Sequence, residues 1–310
     1  MNYTRTALLL AVLTAIFVSL GALLGGYGGM LIAFVLALAM NVWSLWKSDS
    51  MVLRMHQAQE VDAQSGGQYY EIVRSLAERA GLPMPRIYVM QNPQPNAFAT
   101  GRNPENSAVC ASTGLLEMLS PEEVAGVMAH ELAHIKNRDT LTMTVAASIG
   151  GAISLIAQSL QFGAIFGRGQ RTNWLTLILG AIVAPFAAML VQMAISRSRE
   201  YQADRLGAMI AGDPRWLASA LVRIHEAARR TVNDTAERFP ATAHMFIVNP
   251  LTGWGIDNLF STHPNVENRI AELEKLEQEL AASRTPGRSI TGAAPWLQHP
   301  ATAPRRGPWG

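Results

Sequence analysis

Charge is distributed very unevenly along this chain, and the uneven pattern predicts most of its elements. From Thr6 to Trp46 there is no charged residue. That run is too long for one helix across a hydrocarbon core of roughly 30 Å and suits two. Gly25-Gly26-Tyr27-Gly28-Gly29 supplies the turn, so residues 1–46 read as a transmembrane hairpin. A cleaved signal peptide competes for the first run, but a second full-length apolar run follows with almost no spacer. Arg5 before the pair, and Trp43, Trp46, Lys47 and Arg54 at its end, place the N-terminus and the following segment in the cytoplasm. Thr140–Phe166 and Thr172–Ser196 are again free of charge, joined by a loop carrying Arg168 and Arg171. Residues 140–196 therefore read as a second hairpin, giving about four transmembrane helices. Those two arginines run against the positive-inside trend, and Gln158 and Gln161 share one helical face. A hairpin packed on the domain, or only partly inserted, stays open for this pair.

The polar stretches carry helical and strand periodicities. Residues 47–67 read as a connector. Gln68–Ala80 is an amphipathic helix with Tyr69, Ile72, Val73 and Leu76 on one side, stopped by Gly81 and Pro83. Arg86–Met90, Asn96–Thr100 and Ser107–Ser112 are short strands separated by Asn92-Pro93 and Arg102-Asn103-Pro104, predicting a three-stranded meander. An exposed edge strand there can hold an extended peptide by main-chain pairing. Ser120-Pro121-Glu122-Glu123 is a helix start, with Ser120 as cap and Glu123 closing a capping box. Helices follow over 197–209, 214–230 and 265–280. The tail 283–310, rich in Pro, Gly and Arg, reads as disordered.

Composition adds bounds rather than detail. Hydrophobic residues make up 49% of the 310 positions and charged ones 15%, as the apolar runs require. A net charge of +2 implies no nucleic-acid partner. The single cysteine, Cys110, excludes an internal disulfide and lies in an apolar strand, so it reads as a packed core thiol. His225, among charged neighbours, reads as surface, and His244, before an apolar loop, as packing.

The chemistry lies in the helix after Ser120. His130-Glu-Leu-Ala-His134 puts two imidazoles one turn apart on a single face, where both can grip one tetrahedral metal ion. Glu131, beside the first, is placed as general base for an attacking water. Catalytic zinc sites take three protein ligands. Glu200-Tyr-Gln-Ala-Asp204 is the best source of the third, with one carboxylate for the metal and the other for a histidine's free N–H. Carboxylates four apart are also common on exposed helices.

Five stretches together resemble the HtpX family of membrane metalloproteases and, more distantly, the prenyl-protein endoproteases. They are Arg86-Ile-Tyr-Val89, Pro95-Asn-Ala-Phe-Ala-Thr-Gly101, His130-Glu-Leu-Ala-His134, Ser198-Arg-Glu-Tyr-Gln-Ala-Asp204 and Phe260-Ser-Thr-His-Pro264 with Arg269. The resemblance implies Zn2+ held by His130, His134 and Glu200, with Asp204 behind, toward His130. It implies that Asn96 and Ala97 position the substrate backbone, and that His263 and Arg269 face the substrate carbonyl or stabilise the oxyanion. Arg269 also reads as an exposed charge on its helix.

The expectation is thus a mainly α integral membrane protein with a zincin-like (gluzincin) catalytic domain and a small β-meander. Segments 47–139 and 197–282 would form that domain on the cytoplasmic side of a bacterial inner membrane. Its substrates would be membrane proteins or unfolded polypeptides, in protein quality control; assembly into a homo-oligomer stays open. A prenyl-protein endopeptidase and a non-catalytic zinc-stabilised membrane scaffold are the alternatives.

Overall fold

A computed structural model describes residues 2–150, 197–251 and 264–283. Helix α1 (Asn2–Met55) reverses at Gly25–Gly26, within the predicted glycine turn. Gly26 has φ 57° and ψ −145°, a region that residues with a Cβ avoid. The second arm continues past Trp46 to Met55, so the expected hairpin boundary at residue 46 falls inside a helix. Gly25–Met55, 31 residues containing an 18-residue stretch of mean hydropathy 1.9, is the one helix among the described residues long and apolar enough to cross a membrane. Leu31, Ile32, Phe34, Val35, Trp43 and Trp46 on it are exposed. Helix α5, whose described part is Thr140–Gly150, meets the first arm through a hydrogen bond between the hydroxyls of Thr6 and Thr142 (2.7 Å). The remainder of the predicted second hairpin, 151–196, lies outside the described residues.

The sheet differs from the predicted meander. Strands β1 (Gln59–Val61), β2 (Arg86–Met90), β3 (Ala97–Asn103) and β4 (Asn106–Ser112) form a four-stranded sheet in the order β1-β2-β4-β3. β4 inserts between β2 and β3, parallel to the first and antiparallel to the second. The cause lies in its residues. Ser107 to Ser112 are small or branched and all buried, which suits a central strand covered on both faces. β1 comes from the stretch read as connector, and only Val61 of its three residues is buried.

Helix α2 (Gly67–Ala80) buries Tyr69, Ile72, Val73 and Leu76 as expected, and Gly81 caps it with a left-handed backbone (φ 65°). The short helix α3 (Thr113–Met118) leads into α4 (Pro121–Lys136), whose predicted capping box is present in both halves. Helices α6 (Arg197–Ala211) and α7 (Pro214–Ala228) then pack against α4, and α9 (Val266–Ser283) packs against α7 and α6. Between α7 and α9 come the five-residue α8 (Asp234–Arg238) and a 3-10 turn, Pro240–Met245. Helix α4 runs through the centre of the core, with residues 123–135 all buried. It carries the two histidines, so the site sits inside the protein rather than on a solvated helix face.

Candidate metal centre

Both histidines of α4 point into a closed space roofed by α6. His130 is 1% and His134 3% exposed, and their Nε2 atoms are 3.2 Å apart. The two rings stand perpendicular, centroids 4.7 Å apart. Helix α6 brings Glu200 to the same point: its carboxylate oxygens lie 3.8 Å from His130 Nε2 and 3.6 Å from His134 Nε2. The helices approach this closely because position 207 is glycine. A Cβ there would sit 2.8 Å from the His130 backbone.

The donor set fits a zinc ion. Three ligand atoms, one from each of His130, His134 and Glu200, lie within 4.8 Å of one another, all on buried residues. Two ligand atoms at 2.0–2.1 Å from one tetrahedral centre are about 3.3 Å apart, close to the Nε2 separation found here. The opposite ring nitrogens are also fixed as such a site needs. His130 Nδ1 lies 2.9 Å from Asp204 Oδ1, and His134 Nδ1 lies 3.4 Å from Asp139 Oδ2. A carboxylate on Nδ1 favours the tautomer with the proton there, leaving the Nε2 lone pair for a metal.

Behind the ligands lies a second layer of charge. Arg269, from α9, is fully buried and donates from Nε and Nη2 to the two Asp204 oxygens at 2.8 and 2.6 Å. Its third contact is Nη1 to the Ile247 carbonyl, 2.7 Å. Arg269 is therefore not an exposed charge: its guanidinium is held between Asp204 and a main-chain carbonyl. Burial alone would raise the Asp204 carboxyl, but the Arg269 guanidinium outweighs it and holds it below the usual range. Asp139, which the spacing argument missed, is 2% exposed, with Arg199 Nη1 at 3.6 Å. It reaches His134 because Arg138 takes a left-handed backbone (φ 58°) and turns the chain back under the helix end. No glycine marks that turn, so nothing in the neighbouring residues signals it.

The ionisation of the central groups follows from these neighbours. Burial lifts the Glu131 carboxyl to about 7, with Glu200 adding, against His134, Arg269 and the N–H of Ala99. Burial lowers His130, and the Asp204 carboxylate does not fully offset it. It would lower His134 too, but Glu200, Asp139 and Glu131 outweigh it and lift that ring to about 9. Acidic charge is thus concentrated where a divalent cation would sit.

Asn96 and Ala97 are fully buried at the start of β3. Asn96 Nδ2 donates to the Val248 carbonyl, 2.9 Å, and Ile247 N–H donates to Ala97 O, 3.1 Å. β3 is an edge strand as expected, but this end of it is covered by the chain itself. His244 is buried, with Nε2 3.1 Å from the Met143 carbonyl, which agrees with a packing role. His263 lies outside the described residues.

The family model described as peptidase family M48 matches residues 63–277, which span every element of this centre. The chain belongs to peptidase family M48. Membership makes it a metallopeptidase by family, and the His130–His134–Glu200 cluster falls inside the matched region. Among solved structures the chain is similar to the crystal structure of S. mikatae Ste24p, at 17% identity and a TM-score of 0.45. The match covers 77% of this chain and 57% of that one.

Proposed function

We propose that the chain is a membrane-bound, zinc-dependent endopeptidase of the HtpX type, which hydrolyses misfolded or damaged membrane proteins at the cytoplasmic face. One observation carries this reading: His130, His134 and Glu200 converge in an M48 chain, with the buried Glu131 next to the first ligand. A zinc ion held by these three residues would supply Lewis-acid polarisation and lower the pKa of a bound water to about 7. Glu131 accepts the proton of the attacking water and returns it to the leaving amine. Asp204 and Asp139 orient the two rings, and Arg269 acts through Asp204 as a positioning residue. On the family resemblance, His263 contacts the substrate carbonyl or stabilises the oxyanion, and Asn96 with Ala97 align the substrate main chain.

The membrane assignment rests on how the site is tethered. Helix α4 ends at Lys136, four residues before the apolar run that opens at Thr140, and the described part of α6 opens at Arg197, next to the apolar run ending at Ser196. Both halves of the centre are thus anchored beside apolar segments, within reach of loops of membrane proteins. Changing Glu131 to Gln should abolish hydrolysis of an unfolded substrate such as β-casein while bound zinc is retained. Full activity in that variant, with its zinc content verified, would refute the assignment.

A further inference from the structure

β3 borders the metal ligands and is the strand on which an extended substrate would be expected to pair, yet three of its outward main-chain groups already have partners. Ala97 O accepts from Ile247, the Ala99 N–H reaches Glu131, and the Gly101 N–H lies 3.3 Å from Thr144 Oγ1. At the Ala97 end the partner is a piece of backbone. Ile247 lies against Ala97 and Val248 against Asn96, with one main-chain hydrogen bond, Ile247 N–H to Ala97 O, between them. The Asn96 amide brackets Val248, donating to its carbonyl at 2.9 Å and receiving its N–H at 3.5 Å. Arg269 Nη1 takes the Ile247 carbonyl.

All four main-chain polar groups of Ile247 and Val248 are therefore met by Asn96, Ala97 and Arg269. One of these four bonds, Ile247 N–H to Ala97 O, is of the main-chain kind that an added strand makes; the other three are side-chain contacts that the backbone of a bound peptide could take in turn. Phe246, immediately before, is pinned with its ring 5.1 Å from His56 and 5.5 Å from Phe98. On its other side the pair borders a cavity of about 830 Å³, lined also by Tyr201, His225, Arg229 and Asn265. Ile247 and Val248 are buried and belong to the hydrophobic core, so their release would open that face of the core toward the cavity.

We infer that Ile247–Val248 is an internal stand-in for substrate, holding the strand-edge site until an extended polypeptide with a branched aliphatic residue displaces it. This rests on the peptidase reading above and adds how the site is closed and what main-chain form it accepts. It differs from a permanent extra strand, which substrate would leave in place.

Hydrogen exchange at single-residue resolution separates the two. The probe is full-length, zinc-loaded Glu131→Gln protein in lipid nanodiscs, with and without saturating β-casein, binding being confirmed by fluorescence anisotropy of labelled casein. Displacement predicts that the Ile247 and Val248 amides exchange about tenfold or more faster with casein bound, while Val109 and Cys110 in β4 do not change. Unchanged or slower exchange at 247 and 248 with casein bound overturns the inference. As a second variant, Ile247→Pro removes the N–H held by Ala97 and should lower the KM for casein several-fold; a raised KM argues the reverse. Failure of the wild-type, zinc-loaded protein to cleave or bind casein would instead sink the underlying peptidase reading.

Discussion

The two histidines of α4 are one turn apart and face the same point, yet they are held by very different means. His130 is fixed from a distance. Its partner Asp204 comes from α6 and is itself clamped by Arg269 of α9, 65 residues further on, with every member buried. His134 is fixed from nearby. Asp139 lies five residues along the same chain, at a longer 3.4 Å, with Arg199 at 3.6 Å behind it. The first arrangement ties three helices together and exists only once the domain has folded. The second is a local turn that adjusts one ring. Orientation of the first ring is thus inseparable from stability, whereas orientation of the second is not.

That contrast sets the size of the effects. Asp204→Asn should be the most damaging, because it leaves the Arg269 charge buried without its counter-ion. A loss of about 3–5 kcal/mol in stability is expected, read as a lower urea midpoint of the metal-free protein. A midpoint like that of the unaltered protein would remove the distinction between the two supports. Asp139→Asn should show the opposite profile. Zinc affinity should fall about tenfold, as for removal of an outer carboxylate, while the urea midpoint stays close to that of the parent.

A third buried imidazole supplies the control. His56 lies beyond the end of α1 against Phe98 and Phe246, with Thr242 Oγ1 at 3.1 Å from its Nε2. Burial lowers it from 6.5 to about 4. The unfolded chain therefore takes up a proton that the folded protein refuses. Its contribution to stability is complete above about 6.5 and is lost as the pH falls toward about 4. His56→Phe should flatten the decline of the urea midpoint over that window. An unaltered slope would show that other groups control acid sensitivity, and that His56 is no measure of burial without a carboxylate.

Much of this arrangement was legible in the residues because it depends on short-range patterns. The capping box at Ser120–Glu123, the apolar face of α2 and the i, i+4 spacing of His130 and His134 are all read within one or two turns. Glu200 and Asp204 were legible as a pair, but their direction was not, since paired carboxylates on a helix look alike whether exposed or buried. What escaped was set by distant partners. The parallel pairing of β2 with β4 leaves no local trace, and β1 exposes two of its three residues. Arg269 sits in Glu267-Asn-Arg-Ile-Ala-Glu272, whose charges look solvated, yet it is fully buried because Asp204 is waiting for it. Asp139 depended on a left-handed turn at an arginine.

The measurement to make first is the zinc content and affinity of the full-length protein, of Glu131→Gln and of Glu200→Ala, after dialysis against buffered free zinc. A centre assembled from α4 and α6 predicts about one tightly held zinc per chain for the first two. Glu200→Ala should bind it far more weakly. Equal affinity in all three would contradict a site completed by Glu200, and with it the assembly of this centre from the two segments that flank the second apolar stretch.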